Sequence, residues 1–118
     1  MSRSLSPRLN PLPEFKADAL QNQLVLTATV EREEVLRYTP AGMAVLEVWL
    51  KHHSKQKEAG FDRNVNCEIQ AVLIGDKARA LSGTLAGNLV QFTGFICQRG
   101  LKNPRLVLHI EYAEFVKG

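Results

Sequence analysis

The sequence predicts an all-β protein, a small closed sheet interrupted by one short helix. Three observations carry that prediction. From Asn22 onward, apolar residues recur with period two. The alternation breaks once, into helical spacing. Prolines, and all but one of the glycines from Asn22 to Val116, fall between the alternating runs.

The first strand sets Leu24, Leu26, Ala28 and Val30 against Val25, Thr27, Thr29 and Glu31, and runs on, bent, towards Arg37. The second sets Leu46, Val48 and Leu50 against Glu47, Trp49 and Lys51. The third sets Val65, Cys67, Ile69, Ala71 and Leu73 against Asn66, Glu68 and Gln70. A fourth lies near Leu89 to Gln98 and a fifth near Arg105 to Val116. Half-polar faces mean a sheet dry on one side and wet on the other.

Pro40 and Gly42 separate the first two strands, Gly60 lies in the next connection, and Gly100, Asn103 and Pro104 separate the last two. No proline falls inside an expected strand, as ladder hydrogen bonding requires. Gly94 does fall inside one, where a glycine marks a bulge or the bend of a small barrel. Between strands three and four, Asp76 is placed to cap a short helix with Ala78, Leu81 and Leu85 on one face, ending near Gly83 to Gly87. Three strands, a helix and two strands is the element order of the OB-fold, a five-stranded Greek-key barrel. Closure is not written in the pattern, and an open α+β sheet is the competing architecture.

A chain of 118 residues fits one domain and can bury about two thirds of its unfolded surface without staples. Residues 1–21 hold three of the five prolines and read as a flexible tail, either a start-site extension without a role or a functional arm. Residues 22–118 form the folded domain. The longest clean apolar run, Ala71 to Ile74, is far below a membrane span, and the N-terminus lacks a signal-peptide apolar region. A cytoplasmic location is expected, with Cys67 and Cys97 as buried thiols, Cys67 in the core.

Catalytic chemistry has no foothold. His52 and His53 are adjacent and point to opposite strand faces, and neither cysteine has a C-x-x-C partner, so no metal or other cofactor is expected. There is no triad motif and no P-loop. Glu31 and Glu33 are expected to share one solvated strand face. The reading is a non-enzyme with no small-molecule substrate and no membrane partner.

The net charge is only +3, yet the cations are concentrated. The connection from Lys51 to Arg63 carries Lys51, Lys55, Lys57 and Arg63, and the connection from Arg99 to Arg105 carries Arg99, Lys102 and Arg105. Together they hold seven of the fifteen cations and two of the twelve acids. An OB barrel presents its strand-two-to-three face, flanked by the loop between strands four and five, to oligonucleotides, and both basic loops fall there. Single-strand binding also needs flat groups on which bases stack. Trp49 points outward beside Lys51, as a stacking platform or part of a subunit interface. Phe61 and Tyr38 are candidates to stack. Phe92 and Phe95 face opposite sides of strand four, and Tyr112 and Phe115 are expected to pack.

Several stretches together resemble the bacterial PriB family, the primosomal replication protein N relatives of single-stranded DNA-binding proteins. They are Asn22 to Val30, Gln56 to Phe61, Cys67, Gly94-Phe95-Ile96, and Val107-Leu108-His109 with Glu111. The resemblance spans about Asn22 to Val116. It implies a non-catalytic homodimer of OB-folds that binds single-stranded DNA and acts with the restart helicase PriA and with DnaT at stalled forks, hence a nucleoid-associated protein. It implies DNA contacts at His53, Phe61, Arg63 and Asn66 and in the basic loop at Arg99, Lys102 and Arg105, the same loop being implicated in helicase contact. Other members carry an aromatic residue where this chain has Asn66, and an arginine where it has His53. Loss of a stacking ring costs about 1–3 kcal/mol of binding. That loss motivates an alternative, a protein-interaction module that docks a helicase and binds DNA weakly.

Overall fold

The computed structural model describes residues 20–117. The expected tail therefore lies outside the described residues except for Leu20 and Gln21, which precede the first strand. Six strands and one helix follow: β1 (Leu24–Glu33), β2 (Arg37–Tyr38), β3 (Ala44–Glu58), β4 (Phe61–Ile74), α1 (Asp76–Leu81), β5 (Leu89–Gly100) and β6 (Asn103–Phe115). The two-residue β2 is an addition to the five expected strands and pairs with the start of β3.

The five long strands close into a barrel. β1 pairs with β5, β5 with β6, β6 with β4, β4 with β3, and β3 returns to β1. Among the described residues only the β4–β6 pairing is parallel. This is OB-fold connectivity, so closure is settled against the open sheet.

The period-two reading accounts for the core. Ala28 and Val30 of β1, Leu46, Val48 and Leu50 of β3, Ala71 and Leu73 of β4, Val90 and Phe92 of β5, and Leu108 and Ile110 of β6 all face inward and are buried. Ala78 of α1 and the following Leu85 close one end. Gly94 lies where the β5–β6 register slips, between Thr93 opposite Tyr112 and Gly94 opposite Ile110. A Cβ there would stand 1.9 Å from the His109 carbonyl oxygen, so only glycine fits this bend.

Six expectations are corrected. The N-cap of α1 is Gly75, not Asp76. Gly75 has φ 92°, which turns the chain sharply out of β4 and leaves Asp76 in the first helical turn, ion-paired with Arg79. Pro104 lies inside β6, next to the slip between Gln98 and Gly100, where a missing N–H is tolerated. Both cysteines are exposed: Cys97 is on the outer parity of β5, and Cys67 lies beyond the last β4–β6 pair. Tyr112 is 72% exposed because the slip beside Gly94 sets it opposite Thr93 on the outer face, whereas Phe115, opposite the core residue Val90, is 42% exposed because it ends β6. Glu31 and Glu33 do not share a face. A bulge between Val30 and Arg32 adds Glu31 to β1, so Glu33 falls opposite the core residue Val48. Its carboxylate there accepts hydrogen bonds from the amides of Gly83, Leu85 and Ala86 and ties down the loop after α1.

The sixth correction concerns the first basic loop. Lys51 to Arg63 is not irregular; β3 and β4 continue as a hairpin to a two-residue turn at Ala59-Gly60. Both turn residues have positive φ, 53° and 84°, as a tight hairpin turn matching strand twist requires. Among the described residues, β3 beyond Lys51 and β4 before Gln70 have no strand partner but each other. The result is a two-stranded arm, wet on both faces beyond its root, where His52 reaches the Thr27 carbonyl and Ile69 packs against the core.

Candidate nucleic-acid interface

The outer face of β3 carries Glu47, Trp49, Lys51, His53, Lys55 and Lys57 in one line. Opposite them on β4 stand Val72, Gln70, Glu68, Asn66, Asn64 and Asp62. At the barrel end of this line is a groove of about 500 Å³. Trp49, Arg99 and Arg105 line it together with Arg32, Arg37, Glu34, Glu47 and Gln70. Trp49 is half-buried, and its indole Nε1 is buried with no hydrogen-bond partner among the described residues.

Glu47 organises the cations. Arg37 Nη2 donates to its carboxylate at 2.7 Å, Gln70 Nε2 at 2.6 Å and Arg99 Nη1 at 3.5 Å. The Arg37 hydrogen bond holds the Glu47 carboxyl below the usual carboxylate range; burial opposes this, and the Arg99 charge reinforces it. Glu47 is therefore an anion at neutral pH, sitting between two guanidinium groups where a phosphate oxygen would find the same donors.

The candidate residues do not all converge. Trp49, Lys51, His53, Lys55, Lys57 and Asn66 share the outer face, continuous with the groove. Phe61 and Arg63 lie on the arm's other face, with Phe61 75% exposed near the turn. Lys57 is ion-paired with Asp62 at 2.7 Å and Arg63 with Glu58 at 3.2 Å. These pairs are exposed and worth little, so a phosphate can compete for the cations. Arg99 and Arg105 reach the groove, whereas Lys102 sits in the exposed β5–β6 turn beside Leu101, which is 99% exposed.

His53 and Asn66, the two departures from the family pattern, are direct cross-strand partners, and His53 Nδ1 lies 2.7 Å from Asn66 Oδ1. Arg32 and Arg37 were not singled out in the sequence. Their only signal was basic character beside the acids Glu31, Glu33 and Glu34, and it took the β1 bulge and β2 to turn them into the groove. Among the described residues no group of three or more His, Cys, Asp or Glu side chains is placed to hold a metal ion. No helix among them is long and apolar enough to cross a membrane.

Comparison with known proteins bears on the fold and the family. A family model described as "Another single-strand binding protein family" matches residues 22–112. Replication restart protein PriB of Shewanella halifaxensis is 44% identical over 96 residues, covering 79% of this chain and 94% of that protein. The Nitrosomonas europaea protein of the same name is 34% identical over 100 residues, covering 85% and 93%. The solved structure of PriB from Ralstonia solanacearum superposes with a TM-score of 0.74 at 33% identity, covering 83% of this chain and all of that one. The single-stranded DNA binding protein of Thermus aquaticus superposes with a TM-score of 0.68 at 26% identity over 83% of this chain and 51% of that one. The fold and the family match together define an OB-fold of the single-strand binding class. The chain belongs to the bacterial replication restart PriB family.

Proposed function

We propose that residues 22–118 form a single-stranded DNA-binding domain whose DNA path runs along the outer face of β3. The path starts in the arginine groove, passes Trp49, and continues over Lys51, His53, Lys55 and Lys57. The observation that carries this reading is the meeting of Trp49 with Arg32, Arg37, Arg99 and Arg105 in one groove. Cations that track a backbone, beside a ring on which a base stacks, are what sequence-tolerant single-strand binding requires. Asn66 joins through its hydrogen bond with His53. Phe61 and Arg63, on the arm's far face, receive a strand that wraps the arm's tip.

In this reading the protein is a non-enzymatic, cytoplasmic and nucleoid-associated component of replication restart. It acts as a homodimer with the helicase PriA and with DnaT at stalled forks. The outer face of β1, β5 and β6 supports the homodimer. Val25, Phe95 and Tyr112 are 54%, 36% and 72% exposed there, an apolar and aromatic patch suited to a subunit contact.

A second reading, a module that docks a helicase and binds DNA weakly, is favoured by the β5–β6 turn. Leu101 and Lys102 stand clear of the groove on a basic projection. The triple reversal R99E/K102E/R105E separates the two. The DNA reading predicts a loss of oligonucleotide affinity, because two of these arginines line the groove. The docking reading predicts unchanged oligonucleotide affinity and loss of helicase stimulation. Survival of both activities would contradict both readings.

A further inference from the structure

The β1 bulge decides what lies over Trp49. β1 and β3 are in register at Thr29 opposite Lys51 and Val30 opposite Leu50, and then the ladder slips. An unbroken ladder would set Glu31 opposite Trp49; the extra residue sets Arg32 there instead. Bulges beside functional sites commonly re-aim a side chain in this way. The bulge thus brings a cation over the indole, while Glu31 stays beside it, lining one pocket with Arg32, Trp49 and Glu68. Arg32 Cζ stands 4.9 Å from the ring centroid, within cation–π range. Glu34 holds the same guanidinium, with Nε 2.9 Å from Oε2. Both side chains are well exposed, 62% and 47%, so the contact is exchangeable rather than locked.

A base stacking on this side of Trp49 needs the surface that Arg32 occupies. We infer that Arg32 is a displaceable cover on a nucleobase subsite at Trp49. In the free protein it lies on the indole; when a base takes that place, the guanidinium moves to a backbone phosphate. This inference rests on the single-stranded DNA reading above. The exchange strands no buried group, because Glu34, whose side chain is 47% exposed, is left to water. The ring trades a cation for a base, and Arg32 trades Glu34 for a phosphate, another charge-assisted partner. Arg32 thereby sets how strongly the protein prefers a strand with bases over bare backbone.

The test compares the full-length protein with R32K and R32A. Each is titrated with oligo-dT and with an abasic oligonucleotide of equal length. R32K keeps a charge for the phosphate but loses the flat guanidinium. A cover of this kind is worth about two- to fivefold in affinity. Both variants are expected to raise the preference for oligo-dT over the abasic strand by about that factor. R32A alone flattens the log–log salt dependence by about 0.7, the share of one phosphate on a single strand. In the DNA-free protein, emission from the single tryptophan should become more accessible to acrylamide in R32A. An unchanged oligo-dT preference in both variants with binding intact, or unchanged quenching in R32A, overturns the cover. Absence of binding by every variant, wild type included, overturns the DNA reading itself and the cover with it.

Discussion

Glu47 is the residue on which the groove's charge turns. It takes hydrogen bonds from Arg37, Gln70 and Arg99, so it holds the donors in place while lowering the field a phosphate would meet. Glu47→Gln is therefore expected to tighten oligonucleotide binding and steepen its salt dependence by up to about 0.7, as one internal anion gives way to a phosphate. The same change should weaken the fold at neutral pH. The folded pKa is depressed, so the stabilisation by Glu47 is fully present above the ordinary value of 4.5 and is lost as pH falls through the lower folded value. Urea unfolding at a series of pH values should show the gap between wild type and E47Q narrowing below 4.5; a gap constant across that range would contradict the assignment. At this scale the sequence was only partly legible. Trp49 facing outward followed from its parity with Glu47 and Lys51. Arg32 did not, because a bulge breaks parity without leaving a mark in composition. Glu33 was misplaced for the same reason: the shift that lifts Arg32 over the indole swings Glu33 onto the amides after α1.

The arm built by β3 and β4 is the element that sequence patterning conceals. Alternation is visible only where one face is dry, and both faces of the arm are wet beyond its root, so Lys51 to Arg63 has the composition of a loop. What fixes it as a hairpin is the Ala59-Gly60 turn. Gly60 adopts its positive φ freely, while Ala59 at φ 53° crowds its Cβ at a cost of about 1–2 kcal/mol. Ala59→Asn creates the Asn-Gly pair this turn prefers. It should raise the opening free energy of the arm by about 1 kcal/mol. Native-state hydrogen exchange should show slower amides between His53 and Val65 and unchanged amides in the barrel core. Equal protection in the arm before and after the change would mean that this turn does not limit its opening. The arm also shows why the candidate list splits. Residues one apart on a hairpin face opposite ways, so a stretch read as one basic loop becomes two surfaces, with Lys51, His53, Lys55 and Lys57 on one and Phe61 and Arg63 on the other.

Across the whole molecule, the order of the long elements along the chain and most of the core came through from the sequence because burial on one face writes a period of two into β1, β3, β4, β5 and β6. The helix was legible as the one break in that period. Gly94 was legible as a bend because a mid-strand glycine has few other uses, and the carbonyl of His109 occupies the space a Cβ would need. Closure was not legible, since it depends on β1 pairing with β3 and β5 at once, a long-range fact with no local signature. Closure also makes the proposed site. It brings the β5–β6 hairpin, carrying Arg99 and Arg105, against the face of β3 that carries Trp49. The modest net charge hides this, because the acids of β1 offset cations that the barrel gathers elsewhere. The most direct test of that arrangement is equilibrium binding of the full-length protein to fluorescent oligo-dT across a range of salt concentrations. With about 4–6 phosphates neutralised, log affinity should fall linearly with log salt at a slope of about −3 to −4. Absence of binding at low salt, or binding insensitive to salt, would contradict the proposal that this cationic face is where single-stranded DNA binds.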